Sequence, residues 1–227
     1  SNAQDSVAVG ASSQATKKQA FAMGGGANAS AETATAIGAL TNATGTGSVA
    51  LGNLASSTSR SGIAIGQQSQ ALSDVANPLS SGAVAIGFKS TAAAQDTLAL
   101  GSSSSATKTQ AFALGTLASA SGTASTAIGT NSKATAGGAI AFGVNTQATG
   151  SNSIAQGNGA IANTLNAISI GLDSVASGQG SVVLGGDKGL ASTATVADGV
   201  ALGSGSVAST AAGVAGYDPK TSGTSKN

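Results

Sequence analysis

Ser48-Val49-Ala50-Leu51-Gly52 and Ala83-Val84-Ala85-Ile86-Gly87 are two copies of one phrase: a small residue, an apolar one, alanine, a second apolar one and glycine. The glycine recurs at Gly10, Gly24, Gly38, Gly52 and Gly66, resumes at Gly87, Gly101, Gly115, Gly129, Gly143, Gly157, Gly171 and Gly185, and closes at Gly203. These 14 copies lie 14 residues apart, except for gaps of 21 after Gly66 and 18 after Gly185. A fixed period of this kind is the signature of a repeat architecture and decides the fold before anything else does.

Working outward from each glycine, the residue before it is bulky and apolar (Val9, Met23, Ile37, Leu51, Ile65), with Gln156 the one polar substitute. Two places before it stands alanine in 12 of the 14 copies, and three places before it come Val7, Phe21, Val49, Ile63, Leu98 or Phe112, with Thr35 and Thr126 as mild exceptions. The fourth place back holds only Ser, Ala, Gly or Thr. Alternation of period two reads as a β-strand with one bulky and one lean face. Five places after the glycine a second alanine recurs (Ala15, Ala29, Ala43, Ala71, Ala92, Ala106), with Ser57 and Leu190 as exceptions. A second short strand with small residues facing inward fits this half, and the glycine between the halves suits a tight turn. Two strands and two turns make one coil of about 14 residues, stacked on the next through backbone hydrogen bonds at the usual strand spacing of about 4.8 Å. Glycine at this frequency and β-branched residues at period two both oppose helix.

Composition agrees. Charged residues are 7% of the chain, where soluble proteins carry about 25%. Aromatics are 2%, and 34 residues are glycine. A core packed at crystal-like density needs bulk that is scarce here, so the core must be thin and repeated. One coil orders 14 residues for the burial of two large side chains, a poor exchange against backbone entropy. With the bulk taken as the filling, the lean face would lie against sister chains, and self-association through the Val-Ala-Ile-Gly strand is expected.

The formal net charge is +1, with no basic patch and no aromatics to interleave with one, which excludes nucleic acid as an expected partner. The chain has neither Cys nor His. That removes the Ser-His and Cys-His nucleophiles and the common zinc sites. Asp5, Glu32, Asp74, Asp96, Asp173, Asp187, Asp198 and Asp218 are scattered along the chain, and no paired-carboxylate site is expected. No enzyme activity, cofactor or metal is expected. Hexapeptide acyltransferase coils, calcium-binding nonapeptide rolls and ice-binding solenoids are set aside as well; Thr33, Thr44, Thr58 and Thr107 are read as keeping no common phase.

The phrases Ser6-Val7-Ala8-Val9-Gly10, Ser48-Val49-Ala50-Leu51-Gly52 and Ala83-Val84-Ala85-Ile86-Gly87-Phe88-Lys89-Ser90 resemble the head repeat of YadA-like trimeric autotransporter adhesins, S-V-A-I-G-x-x-S/A-x-A. The resemblance implies an all-β, left-handed parallel β-roll, a solenoid of 14-residue coils, homotrimeric about a central axis. It also implies display at the outer membrane of a Gram-negative bacterium. The membrane is reached only through a C-terminal β-barrel anchor that this sequence does not contain. Heads of this family bind host extracellular matrix proteins such as collagen, or host cell surfaces, and promote bacterial clumping. A spacer that lifts another tip domain without binding is the rival role.

The expected division is residues 1–4 as an expression scar and lead-in, 5–216 as the head roll, and 217–227 as a tail or the start of a next module. No binding residue stands out. The extra residues after Gly66 include Asp74, Asn77 and Pro78, and an insertion on a rigid scaffold is a candidate recognition loop. Gln156 is read either as a tolerated polar residue or as a ring of glutamines near the trimer axis holding water or an anion. The four extra residues after Gly185 suggest a bulge or side loop, and Tyr217 a cap on the last coil. Lys17, Lys18, Lys89, Lys108 and Lys133 read as solvated side chains with at most weak attraction for acidic partners.

Overall fold

The computed structural model describes residues 3–72, 82–187 and 189–210, with the backbone of Ala215–Asp218 and Gly223–Lys226. The chain divides into two units, Ser1–Asn131 and Ser132–Asn227. Each is a parallel β-solenoid, and no helix occurs among the described residues. The first unit carries nine long strands of three residues, from Val7–Val9 to Thr126–Ile128, and eight short strands of two residues, from Gln14–Ala15 to Ser119–Ala120. The second carries five long strands, from Ile140–Phe142 to Val200–Leu202, and six short ones, from Lys133–Ala134 to Val207–Ala208. Long strands pair with long strands and short with short, so every coil contributes once to each of its unit's two sheets.

The register follows the repeat. Val7, Ala8 and Val9 lie opposite Phe21, Ala22 and Met23, and Leu98, Ala99 and Leu100 opposite Phe112, Ala113 and Leu114. Backbone bonds run from coil to coil, as from Val7 N–H to the Ala20 carbonyl at 2.9 Å and from Gly24 N–H to the Val9 carbonyl at 2.8 Å. The glycine that ends a long strand and meets a following coil is required twice over. Gly101 has φ +134°, and a Cβ there would stand 2.6 Å from the Gly115 carbonyl oxygen of the next coil. Both turns also hold one residue at left-handed φ, such as Asn145 at 56° and Asn152 at 54°, a conformation that asparagine tolerates well.

The interior is lean. Four inward positions per coil, the fourth and second before the glycine and the third and fifth after it, carry alanine, serine or threonine almost throughout. In one coil these are Thr97, Ala99, Ser104 and Ala106, all buried. Val183 is the largest fully buried side chain among the described residues. The buried hydroxyls close the turns: Ser104 Oγ donates to the Gly101 carbonyl at 2.9 Å, Ser90 to Gly87 at 3.0 Å, and Thr97 to Ala94 at 2.6 Å. Ser48, Ser57, Ser153 and Ser181 instead bury an Oγ without a partner.

This corrects the expected filling of the coil. Sequence reasoning puts the bulky residues inside and the lean face against sister chains. The structure reverses this: the alanine of the phrase points in and the bulk points out. The reason is the width of the coil. With a turn of only a few residues at each end, the two sheets stand too close for anything larger than Val183, and the bulky members of the phrase have only the outer face left.

The insertions leave the ladders intact. Ile63–Ile65 still pairs with Val84–Ile86, and Gln70–Ala71 with Thr91–Ala92, so the first insertion falls between Ala71 and Val84. Val175–Ala176 pairs with Thr193–Ala194, which puts the second insertion between Leu184 and Thr193. Asp187 and Leu190 exchange backbone hydrogen bonds of 3.3 and 2.8 Å there, closing a small side loop. Leu190 is therefore no inward exception; the inward place belongs to Ala194, and Leu190 is exposed. Beyond the repeat, Ala215–Asp218 and Gly223–Lys226 form an antiparallel pair.

Candidate functional site: an apolar ladder on the long strands

Two outward residues per long strand, one on either side of the buried alanine, form two parallel rows. One row runs through Val7, Phe21, Val49, Ile63, Val84, Leu98 and Phe112 in the first unit, the other through Val9, Met23, Leu51, Leu100 and Leu114. The second unit repeats this with Ile140, Ile154, Ile168 and Val182 beside Phe142, Ile170 and Leu184. In-register pairing makes each row a ladder of mostly apolar residues, interrupted by Thr35 and Thr126 in one row and by Gln156 in the other. Val9 remains 52% exposed, Phe142 50% and Leu202 61%. The turn that follows adds Leu40, Leu54, Phe88 and Leu117, all exposed. Lys89 lays its Nζ 5.1 Å from the Phe88 ring centroid at this margin. Contiguous apolar exposure on this scale marks an interaction surface.

The outer side of the short strands is different. Gln14, Asn28, Asn42, Ser56, Gln70, Thr91, Ser105 and Ser119 occupy one row in the first unit. The Asn28 amide donates to Asn42 Oδ1 at 2.8 Å along it. The next outward place, the sixth after the glycine, holds Thr16, Thr44, Thr58, Thr107, Thr135 and Thr149. Thr44, Thr58 and Thr107 thus do share a phase, contrary to the expectation from sequence; only Thr33 falls elsewhere. The place lacks a hydroxyl at Leu72, Ala93 and Asn163, so it does not make an unbroken hydroxyl ladder.

Asp74, Asn77 and Pro78 lie outside the described residues, as does the side chain of Tyr217. Gln156 sits on the exposed apolar ladder, between Phe142 and Ile170 in register. Lys17, Lys18, Lys108 and Lys133 are exposed. Among the described residues, no group of three or more His, Cys, Asp or Glu side chains converges. The direction of the phrase was missed by sequence reasoning, although a signal for it existed. Four positions per coil are small in nearly every copy, and four small positions facing one another define an interior.

A stack of parallel coils with a lean interior and an apolar outer face on the long strands defines a parallel β-solenoid. The family model for the YadA head domain repeat matches residues 1–27 and 29–55, and then overlapping stretches from 80 to 187. The chain belongs to the YadA head family and is an adhesin-type head domain. No curated protein matches it in sequence.

Proposed function

We propose that this chain is the head of a surface-displayed, non-enzymatic trimeric adhesin that attaches its bacterium to host extracellular matrix, such as collagen, or to host cells, and to other bacteria. Membership of the YadA head family supports the class, and one observation carries the assembly: the exposed apolar ladder of the long strands. A coil filled with alanine gains little from its own burial, since stabilisation scales with the apolar area removed from water. The area held back on the ladder is recovered when chains pack ladder to ladder. Three chains about one axis cover three ladders at once and leave the short-strand sheets, polar in the first unit, facing solvent. Family membership supports a surface-displayed adhesin, and we take the assembly to be displayed at the outer membrane of a Gram-negative cell.

Adhesion then rests on many similar weak contacts along the outer sheets of three chains, where avidity replaces one strong site. The stretch containing Asp74, Asn77 and Pro78 is a further candidate contact on sequence grounds. Binding of the purified chain to immobilised collagen, to other matrix proteins and to cultured cells tests the role. Saturable binding to any of them is the expected result; a folded assembly that binds none would make the head a spacer. Deleting residues 73–79 without loss of binding would remove that stretch from the contact surface.

A further inference from the structure

A ladder that repeats every 14 residues carries a problem of its own. Slid by one coil against a sister chain, the apolar rows meet nearly the same residues again, and only one layer of contact is lost at each end. A repeated pattern of this kind specifies register weakly. Gln156 is the only polar residue in its row, and it stands in register between Phe142 in the coil before and Ile170 in the coil after. Its side chain is exposed, on the outward face that all three share.

We infer that Gln156 sets the register in which copies of this chain associate. The inference rests on the proposed packing of ladder against ladder. In the matched alignment the Gln156 amides of sister chains meet one another, and each amide offers both donors and an acceptor, so they satisfy each other or share a water. Shifted by one coil, each amide is pressed against Phe142 or Ile170 and loses both water and partner, which is the costly arrangement for a buried polar group. One polar layer in an apolar seam fixes alignment in coiled coils by the same logic, at some cost in stability. A cost in exchange for alignment also accounts for a glutamine at a position where every other coil carries an apolar side chain.

The native chain has no cysteine, so two single-cysteine chains report the alignment. Leu100 and Leu114 are register neighbours on the ladder. Chains bearing Leu100→Cys are mixed, unfolded and refolded with chains bearing Leu114→Cys, then oxidised. Disulfides between like chains report matched packing, and disulfides between unlike chains report a one-coil slip, because the bond tolerates only a narrow range of Cα separation. With Gln156 present, like-chain disulfides are expected to dominate. In the Gln156→Leu background, unlike-chain disulfides are expected to rise by about tenfold. A Leu114→Cys chain that also carries Gln156→Ile and Ile170→Gln moves the amide by one coil. Mixed with Leu100→Cys chains that retain Gln156, it is expected to favour the slipped product.

Matched products alone in every background overturn the register role and leave self-association standing. Slipped products already abundant with Gln156 in place overturn the register role as well. Absence of both disulfides, in chains that retain their β circular dichroism, overturns ladder packing itself and the inference with it.

Discussion

The outer faces of the two sheets make the instructive comparison. In each unit both line an alanine-filled interior, yet the long-strand face carries mostly Val, Ile, Leu and Phe in two rows, while the short-strand face of the first unit carries Gln, Asn, Ser and Thr. In the second unit the short-strand row turns partly apolar, at Ile161, Val175 and Val207. Inside, the two sheets are alike and have one task, which is to fit. Outside, they differ and so divide the work: one face has apolar area to hide, the other has polar groups to show. The structural element is the same on both sides of the coil, and what it presents to the exterior assigns its role.

The largest expected effect comes from breaking what the two sheets share. Ala99→Leu places a branched side chain where the interior admits little more than alanine, and an unfolding midpoint measured by circular dichroism should fall by an amount equivalent to about 3 kcal/mol, the upper end of ordinary over-packing. Leu100→Asp on the ladder is expected to leave the secondary structure intact and weaken self-association more than about 30-fold by light scattering, the loss typical of a central contact residue. Ser105→Asp, on the opposite outer face, is expected to change association by less than about twofold, since exposed polar substitutions are usually near neutral.

Smaller effects separate the buried hydroxyls. Ser104 holds the Gly101 carbonyl, so Ser104→Ala should cost about 1 kcal/mol in thermal unfolding. Ser153 has no partner for its buried Oγ. Ser153→Ala should therefore be neutral within about 0.5 kcal/mol, or slightly stabilising, because it removes a desolvated group that nothing satisfies. Equal losses at the two serines would contradict the assignment of hydroxyl roles.

Much of this was legible in the residues. Period, strand placement, the position of the turns, the inward alanine of the short strand and the thin core all follow from the spacing of Gly10 through Gly203, because a 14-residue repeat leaves room for little else. Which side of the long strand faces in was not legible from alternation alone. Period two separates two faces without saying which is buried, and the habit of putting bulk inside prevails unless the interior is known to be narrow. Leu190 illustrates another limit. Counted from Gly185 it occupies an inward place, but the four-residue insertion lies ahead of the short strand and hands that place to Ala194. A count along the chain cannot locate an insertion within a coil; pairing between coils does. The threonine row escapes notice for a plainer reason: Thr33 belongs to the other turn, and judging it together with Thr44, Thr58 and Thr107 hides the phase that those three share.

Sedimentation equilibrium of the intact chain tests the ladder's role most directly. Packing ladder to ladder predicts one species of three times the chain mass, persisting on dilution and showing the far-ultraviolet signature of β structure. A folded single chain at every concentration, with its long-strand face left in water, would contradict it.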